Sequence, residues 1–161
     1  MTAANREHRF ECRLVWTGAT KGGTTSYDAY SRECRVDIPG KPSIRASAAQ
    51  VFRGDPSLPN PEDLLVVSLS ICHFLSYVAL CARDGVNVIT YEDDASGTMS
   101  RFERGFHFTD VLLKPQVMIA AGSDPDKAAA LHHKAHDECF IANSVNFPVR
   151  HEPVIRVAAA V

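Results

Sequence analysis

The sequence predicts an α+β domain in which antiparallel strands pack around one long hydrophobic helix. Three observations carry that expectation. Residues 60–85, NPEDLLVVSLSICHFLSYVALCARDG, are apolar on almost every side over a helical length. Most of the remaining chain alternates apolar and polar residues at period two, the signature of half-buried strands. A second helical seam follows late in the chain, behind an Asp-Pro start signal. The predicted order is βββ-α-ββ-α-β, within a single domain over 1–161, a length that can bury one proper core.

Taken in order, His8 to Trp16 places Phe10, Cys12, Leu14 and Trp16 on one face and Glu11 and Arg13 on the other. TGATKGGTTS is a loop by its Gly and Thr content. Tyr27 to Ile38 reads as a second strand, with Tyr30, Cys34, Val36 and Ile38 on one side. PGKP is a turn, and Ser43 to Phe52 is a third strand weakened by alanines. GDPSLPNP leads into the helix. Asn60 is a good N-cap, Pro61 suits the first helical position, and Glu62 and Asp63 favour the positive end of the helix dipole. Gly85 marks the stop. Two strand-like runs follow, Val88 to Met99 and Phe106 to Ile119, joined by SRFERG. The second helix starts at Asp124-Pro125 and runs to about Asn143, with Ala128, Leu131, Ala135, Cys139 and Ala142 as its seam. Pro148 precedes a last strand, Val154 to Ala160.

Composition excludes some functions. The chain is 45% hydrophobic and 22% charged, with a formal net charge of −2. There is no basic excess, so nucleic acid is a poor candidate partner. MTAANREHRFECRLVW has no apolar leader, so no secretory signal is expected. Leu64 to Ala82 approaches the length of a membrane span. It carries Ser68, Ser70, His73 and Ser76 between Glu62, Asp63, Arg83 and Asp84, which favours a buried helix and no membrane role.

The cysteines are Cys12, Cys34, Cys72, Cys81 and Cys139, with no CxxC pair. Absent an export signal, this usage fits a reducing cytoplasm. Cys72 and Cys81 lie half a helical turn out of phase and about 13 Å apart along the axis, beyond disulfide reach. Cys12, Cys34 and Cys81 read as small buried hydrophobes. Cys72 and Cys139 each fall within a predicted helix on its small-residue side. On the residues alone, a packing role is the stronger reading for each of these as well.

NPEDLLVVSLSICHFLSYVAL closely resembles the NPE-x-L-x(7)-C signature of the osmotically inducible protein C and organic hydroperoxide resistance (OsmC/Ohr) family. Cys139 lies where that family places its second cysteine. The likeness covers nearly the whole chain. TSYDAYSREC, FRGD and AHDECFIANSVNFPV set it apart as a variant OsmC-like branch. His73 stands where the family usually has an apolar residue, and Phe140 where proline often follows the second cysteine.

The resemblance implies an OsmC-like fold in an intertwined homodimer with active sites at the interface. It also implies a thiol-dependent peroxidase in oxidative stress defence. Cys72 would attack an organic hydroperoxide and become a sulfenic acid, and Cys139 would resolve it as a disulfide. No bound cofactor is implied. An external thiol, a lipoylated protein or another dithiol, would then reduce the pair. An attacking thiol needs a lowered pKa, and mid-helix Cys72 cannot draw it from the helix dipole. In the family an arginine serves, held by the NPE glutamate, which maps onto Glu62. Arg53 of FRGD is the better candidate for the arginine and Arg32 of YSREC the second. Ten residues of helix rise about 15 Å, so Glu62 would serve the Cys72 of the other chain.

Two other readings compete. His132, His136 and Cys139, completed by His73 or Cys72, could form a tetrahedral metal site, although HxxxH is common by chance. The alternative to a metal there is a solvated, His-rich helix face. The fold could also serve a stress protein that binds a small apolar molecule with little peroxidase activity. Serine catalysis has no support, since GxSxG is absent.

Overall fold

The computed structural model describes residues 7 to 159, so Ala160, the expected end of the last strand, lies outside the described residues, as do the first six positions of the expected leaderless start. The chain forms two compact units, Met1–Asp63 and Leu64–Val161.

The first unit holds an antiparallel sheet of β1 (Arg13–Trp16), β2 (Cys34–Asp37) and β3 (Ile44–Ala46), with Trp16 opposite Cys34 and Val36 opposite Ile44. All three strands are shorter than the alternation predicts. Cys12 and Phe10 precede β1 and are exposed, so Cys12 is not the buried hydrophobe expected. Residues 27–33 do not extend, because Arg32 gathers them. Its guanidinium donates to the carbonyls of Tyr30 (2.9 Å) and Tyr27 (2.7 Å) and lies over both rings. The loop closes on β1 where the Trp16 indole N–H donates to the Ser31 carbonyl at 2.8 Å. Gly18 allows that approach, since a Cβ there would lie 2.0 Å from the same oxygen. The third strand ends at Ala46, where the Ser47 N–H donates to the Pro59 carbonyl and the chain turns.

Helix α1 (Pro61–Arg83) opens as predicted. The Asp63 N–H donates to Asn60 Oδ1 at 2.9 Å, and the Asn60 N–H donates back to Asp63 Oδ2 at 3.2 Å, a reciprocal cap. It closes with Gly85 at φ 75° and a bond from the Val86 N–H to the Cys81 carbonyl at 2.9 Å, a Schellman stop. By length and composition alone α1 could cross a membrane. Here its buried residues Leu69, His73, Tyr77, Leu80 and Cys81 pack as core.

In the second unit the two expected strand-like runs become four strands: β4 (Val88–Asp93), β5 (Ser96–Phe102), β6 (Gly105–Leu113) and β7 (Pro115–Ile119). Asp93 pairs with Pro115 and Ser96 with Leu112, so both runs bend at the same place. The bend is held by the Asp93 carboxylate, which accepts from the Lys114 N–H (2.7 Å) and the Ser70 hydroxyl (2.5 Å). Pro115, without an N–H, cannot extend the ladder backward. After α2 (Pro125–Asp137) come β8 (Val149–His151), absent from the predicted order, and β9 (Val154–Val157). The result is two sheets, β4-β7-β9 and β5-β6-β8. The β8–β6 and β9–β7 pairings are parallel, so these sheets are mixed, not purely antiparallel.

Two apolar cores share α1. The C-terminal half, with Tyr77, Leu80 and Cys81, packs with Val117 and Ile119 of β7 and Ala128, Leu131 and Ala135 of α2. The N-terminal half, through Leu69, packs with Val111, Leu113 and Val149 and with Ile141 and Ala142 beyond α2. Helix α2 starts as predicted, with Asp124 Oδ1 accepting from the Asp126 and Lys127 N–H groups. It stops at Asp137, not near Asn143, because the Asn143 side-chain amide caps the Asp137 carbonyl at 2.8 Å and pulls the chain into a short turn.

Candidate functional site

Cys72 and Cys139 meet where the two cores adjoin. Cys72 projects from the middle of α1 and is half-buried. Cys139 is 1% exposed and lies just beyond α2, not within it. Cys72 is the side chain that acts on the Cys139 thiol, and both thiols are free. The turn after α2 aims backbone donors at each sulfur: the Ile141 N–H toward Cys72 Sγ at 3.5 Å and the Ala142 N–H toward Cys139 Sγ at 3.4 Å. That turn is tied down locally. The Asn143 N–H donates to the Cys139 carbonyl, and the Ser144 hydroxyl donates to the Phe140 carbonyl at 2.7 Å. Ile141 and Ala142 pack into the N-terminal core, so the donors are fixed from behind.

Burial is the main reason the Cys139 thiol is pushed up to about 11, and its bond to Cys72 adds to the rise. The Ala142 and Ile141 N–H groups act in the opposite direction. At neutral pH Cys139 is therefore a protonated thiol resting against its partner sulfur.

The other expected site residues lie in the first unit. Glu62 is in the first turn of α1, and its Oε2 is buried with no hydrogen-bond partner among the described residues. Arg53 adopts a left-handed backbone, pairs with the Asp28 carboxylate and sits 5.2 Å over the Tyr27 ring. Arg32 lies over the same ring at 4.6 Å. Both candidate arginines thus gather on Tyr27, and the carboxylate that Arg53 holds is Asp28.

The histidines differ from a solvated helix face. His132 is fully buried and His73 is 1% exposed, and His73 Nε2 lies 3.0 Å from His132 Nδ1. His132 stacks on Tyr77 with ring centres 3.8 Å apart, and His151 of β8 stacks on His73 at 5.5 Å. Of the three α2 histidines, His133 is exposed and His136 half-exposed, each within 6 Å of the His151 ring. Burial pushes His73 down to about 4 and His132 down to about 3, so both are neutral imidazoles at pH 7. Among the described residues no three His, Cys, Asp or Glu side chains are grouped to hold a metal ion. The expected set of His132, His136 and Cys139 does not converge, because His132 turns to His73.

Part of this is legible in the residues. Ala128, Leu131, His132 and Ala135 follow the i, i+3, i+4, i+7 pattern of a buried face. His151 carried no signal, since its three-residue strand has none. The Ile141 and Ala142 donors are backbone groups and leave no mark in side-chain chemistry. A separate open groove of about 680 Å³, lined by Phe74, Val78, Cys81, Val86 and Ile89, runs between α1 and β4 and does not include Cys72.

The OsmC-like protein family matches residues 54–153. Among solved structures, an OsmC-like protein of unknown function from Vibrio cholerae is 30% identical, covering 92% of this chain and 100% of its own, with a TM-score of 0.83. An organic hydroperoxide resistance protein from Elizabethkingia anophelis shares the fold at 15% identity and a TM-score of 0.70, covering 96% of this chain and 99% of its own. So does one from Legionella pneumophila, at 15% identity and a TM-score of 0.66, covering 94% and 98%. A comparison with curated proteins finds no match.

Proposed function

Because the chain belongs to the OsmC-like protein family, we propose that it is a cysteine-based reductase of organic hydroperoxides. The Cys72 thiolate attacks the terminal peroxide oxygen. The O–O bond breaks, the alkoxide takes a proton and leaves as an alcohol, and Cys72 becomes a sulfenic acid. The Cys139 sulfur then attacks Cys72. Its proton departs with the hydroxyl as water, and a Cys72–Cys139 disulfide remains. An external dithiol, such as a lipoylated protein, restores both thiols by exchange. The cycle uses no resident cofactor, and a reducing cytoplasm suits it.

The observation that supports this reading best is that one turn brings both sulfurs together, its adjacent Ile141 and Ala142 N–H groups reaching Cys72 and Cys139. The Ile141 N–H is aimed at the Cys72 sulfur, the atom that attacks. Burial keeps Cys139 protonated until a sulfenic acid is there to receive it. Arg53, backed by Asp28, and Glu62 are assigned to organising Cys72 across a homodimer. One feature favours a second copy, the exposed apolar stripe Val67, Ile71 and Leu75 on α1. A ligand-binding role with weak peroxidase activity is the second reading, and the groove beside Cys81 favours it.

One equivalent of cumene hydroperoxide followed by peptide mass spectrometry tests the proposal. A peptide pair joined through Cys72 and Cys139 is expected. Unmodified thiols in folded protein would overturn it and leave the ligand-binding reading.

A further inference from the structure

His73 follows Cys72 directly on α1, and His132 lies on α2 seven residues before Cys139, which follows the end of that helix. These two histidines are the buried polar residues of the two helices, and they bond to each other at 3.0 Å. The other buried residues of α2 are Ala128, Leu131 and Ala135, a mostly small face. Apolar burial is non-directional, and such a face packs almost equally well after a small rotation or slide. A hydrogen bond between ring nitrogens is not so tolerant, because it weakens steeply with distance and angle. It fixes both the rotation of α2 about its axis and its position along α1.

We propose that the His73–His132 pair positions Cys139 against Cys72, so that the two imidazoles are positioning residues for the thiol pair. This rests on the redox reading above. The bond needs one N–H and one lone pair, which two neutral imidazoles supply when their tautomers are complementary, one of His73 Nε2 and His132 Nδ1 carrying the proton and the other not. The remaining ring nitrogens, His73 Nδ1 and His132 Nε2, are buried without partners among the described residues, so no competing bond draws either ring away. Tyr77 of α1 supports His132 from one face. His151 of β8 packs on the pair, His133 and His136 of α2 surround His151, and Asp137 supplies the nearby negative charge. Burial and this company of imidazoles keep both rings uncharged at neutral pH.

The test is the equilibrium of the full chain with glutathione buffers, read by acid quench, alkylation and mass spectrometry. Oxidised glutathione takes up the two electrons of Cys72 and Cys139, giving their disulfide and two reduced glutathiones. The ratio at equilibrium is the effective concentration of one thiol at the other. His132→Phe keeps a ring on Tyr77 but has no Nδ1, while His132→Asn places an amide where Nδ1 stood. Likewise, His73→Gln keeps a polar group at Nε2, and His73→Leu does not. Loss of one net hydrogen bond lowers the effective concentration roughly fivefold to tenfold in His132→Phe and His73→Leu. The amide variants stay near wild type. If His132→Phe fails to fold, the His73→Gln and His73→Leu pair reads the same quantity. Folded Phe and Leu variants with unchanged values would overturn the positioning role, as would amide variants as impaired as the apolar ones. A wild-type chain that forms the disulfide with glutathione but not with peroxide would sink the peroxidase reading and leave the positioning intact. A wild-type chain that forms it with neither would sink both.

Discussion

The Ile141 N–H points at Cys72 Sγ across 3.5 Å, although the two residues are 69 positions apart. The contact joins the middle of α1 to the turn after α2, and it is the backbone, not a side chain, that reaches the sulfur. The donor can be removed without a large change of backbone, since Ile141 has φ −72° and proline prefers a similar angle. Ile141→Pro should slow alkylation of Cys72 by iodoacetamide at pH 7 by roughly twofold to fivefold, a sulfur-directed bond being at the weak end of the range. Circular dichroism and alkylation followed by mass spectrometry check this. An unchanged Cys72 rate in folded protein would assign the N–H no electronic role.

The thiol pair predicts an asymmetry between its members. Cys72→Ser should abolish hydroperoxide consumption with a dithiol reductant. Without any reductant, Cys139→Ser should still consume about one equivalent and then stop, leaving a sulfenic acid on Cys72 that dimedone traps. Dimedone adduct on Cys139 in the Cys72→Ser protein would reverse the two roles.

The bend that splits the strand runs hangs on one carboxylate. Asp93 holds the Lys114 N–H and the Ser70 hydroxyl, one from the loop before β7 and one from α1. Asp93→Ala leaves both without that acceptor and should cost about 1–3 kcal/mol, read as a lower urea midpoint at an unchanged m-value. Asp93→Asn keeps one oxygen and should cost less.

Features decided within a few residues were legible in the sequence. Asn60, Pro61 and Gly85 announce both ends of α1 because capping is local chemistry. The bend at Asp93 and Pro115 was not legible, since apolar alternation runs on through a change of sheet. The parallel partners of β8 and β9 depend on where distant strands already lie, which no local pattern encodes. At the site, the motif singled out Cys72 and Cys139 by their spacing. The apolar pattern carries α2 past Asp137 because Cys139 and Ala142 continue its seam, while the Asn143 side chain that ends it acts through a backbone carbonyl. His132, His133 and His136 look alike in a sequence, and only packing separates the buried ring from the exposed one.

The buried imidazoles make stability depend on pH in a definite direction. His73 is depressed to about 4 and His132 to about 3, burial being the main cause of both, with the neighbouring histidines adding to it. In the unfolded chain each titrates near 6.5. Between those values the unfolded state binds protons that the native state refuses, so acid favours unfolding. The stability due to neutral burial is fully present above pH 6.5. It falls as the pH drops toward 4, by about 1.4 kcal/mol per pH unit for each histidine. The carboxylates held low by their partners, Asp37 beside Ser43, Asp55 beside Ser57 and Asp110 beside Arg150, respond only as the pH falls below the ordinary carboxylate range. The window from 6.5 to 4 therefore belongs to the histidines. Urea titrations at half-unit steps should show the midpoint dropping through it, and His73→Gln with His132→Asn in one chain should flatten the slope. A wild-type midpoint that holds level from pH 6.5 to 4.5 would mean that these rings are not buried neutral in the native protein.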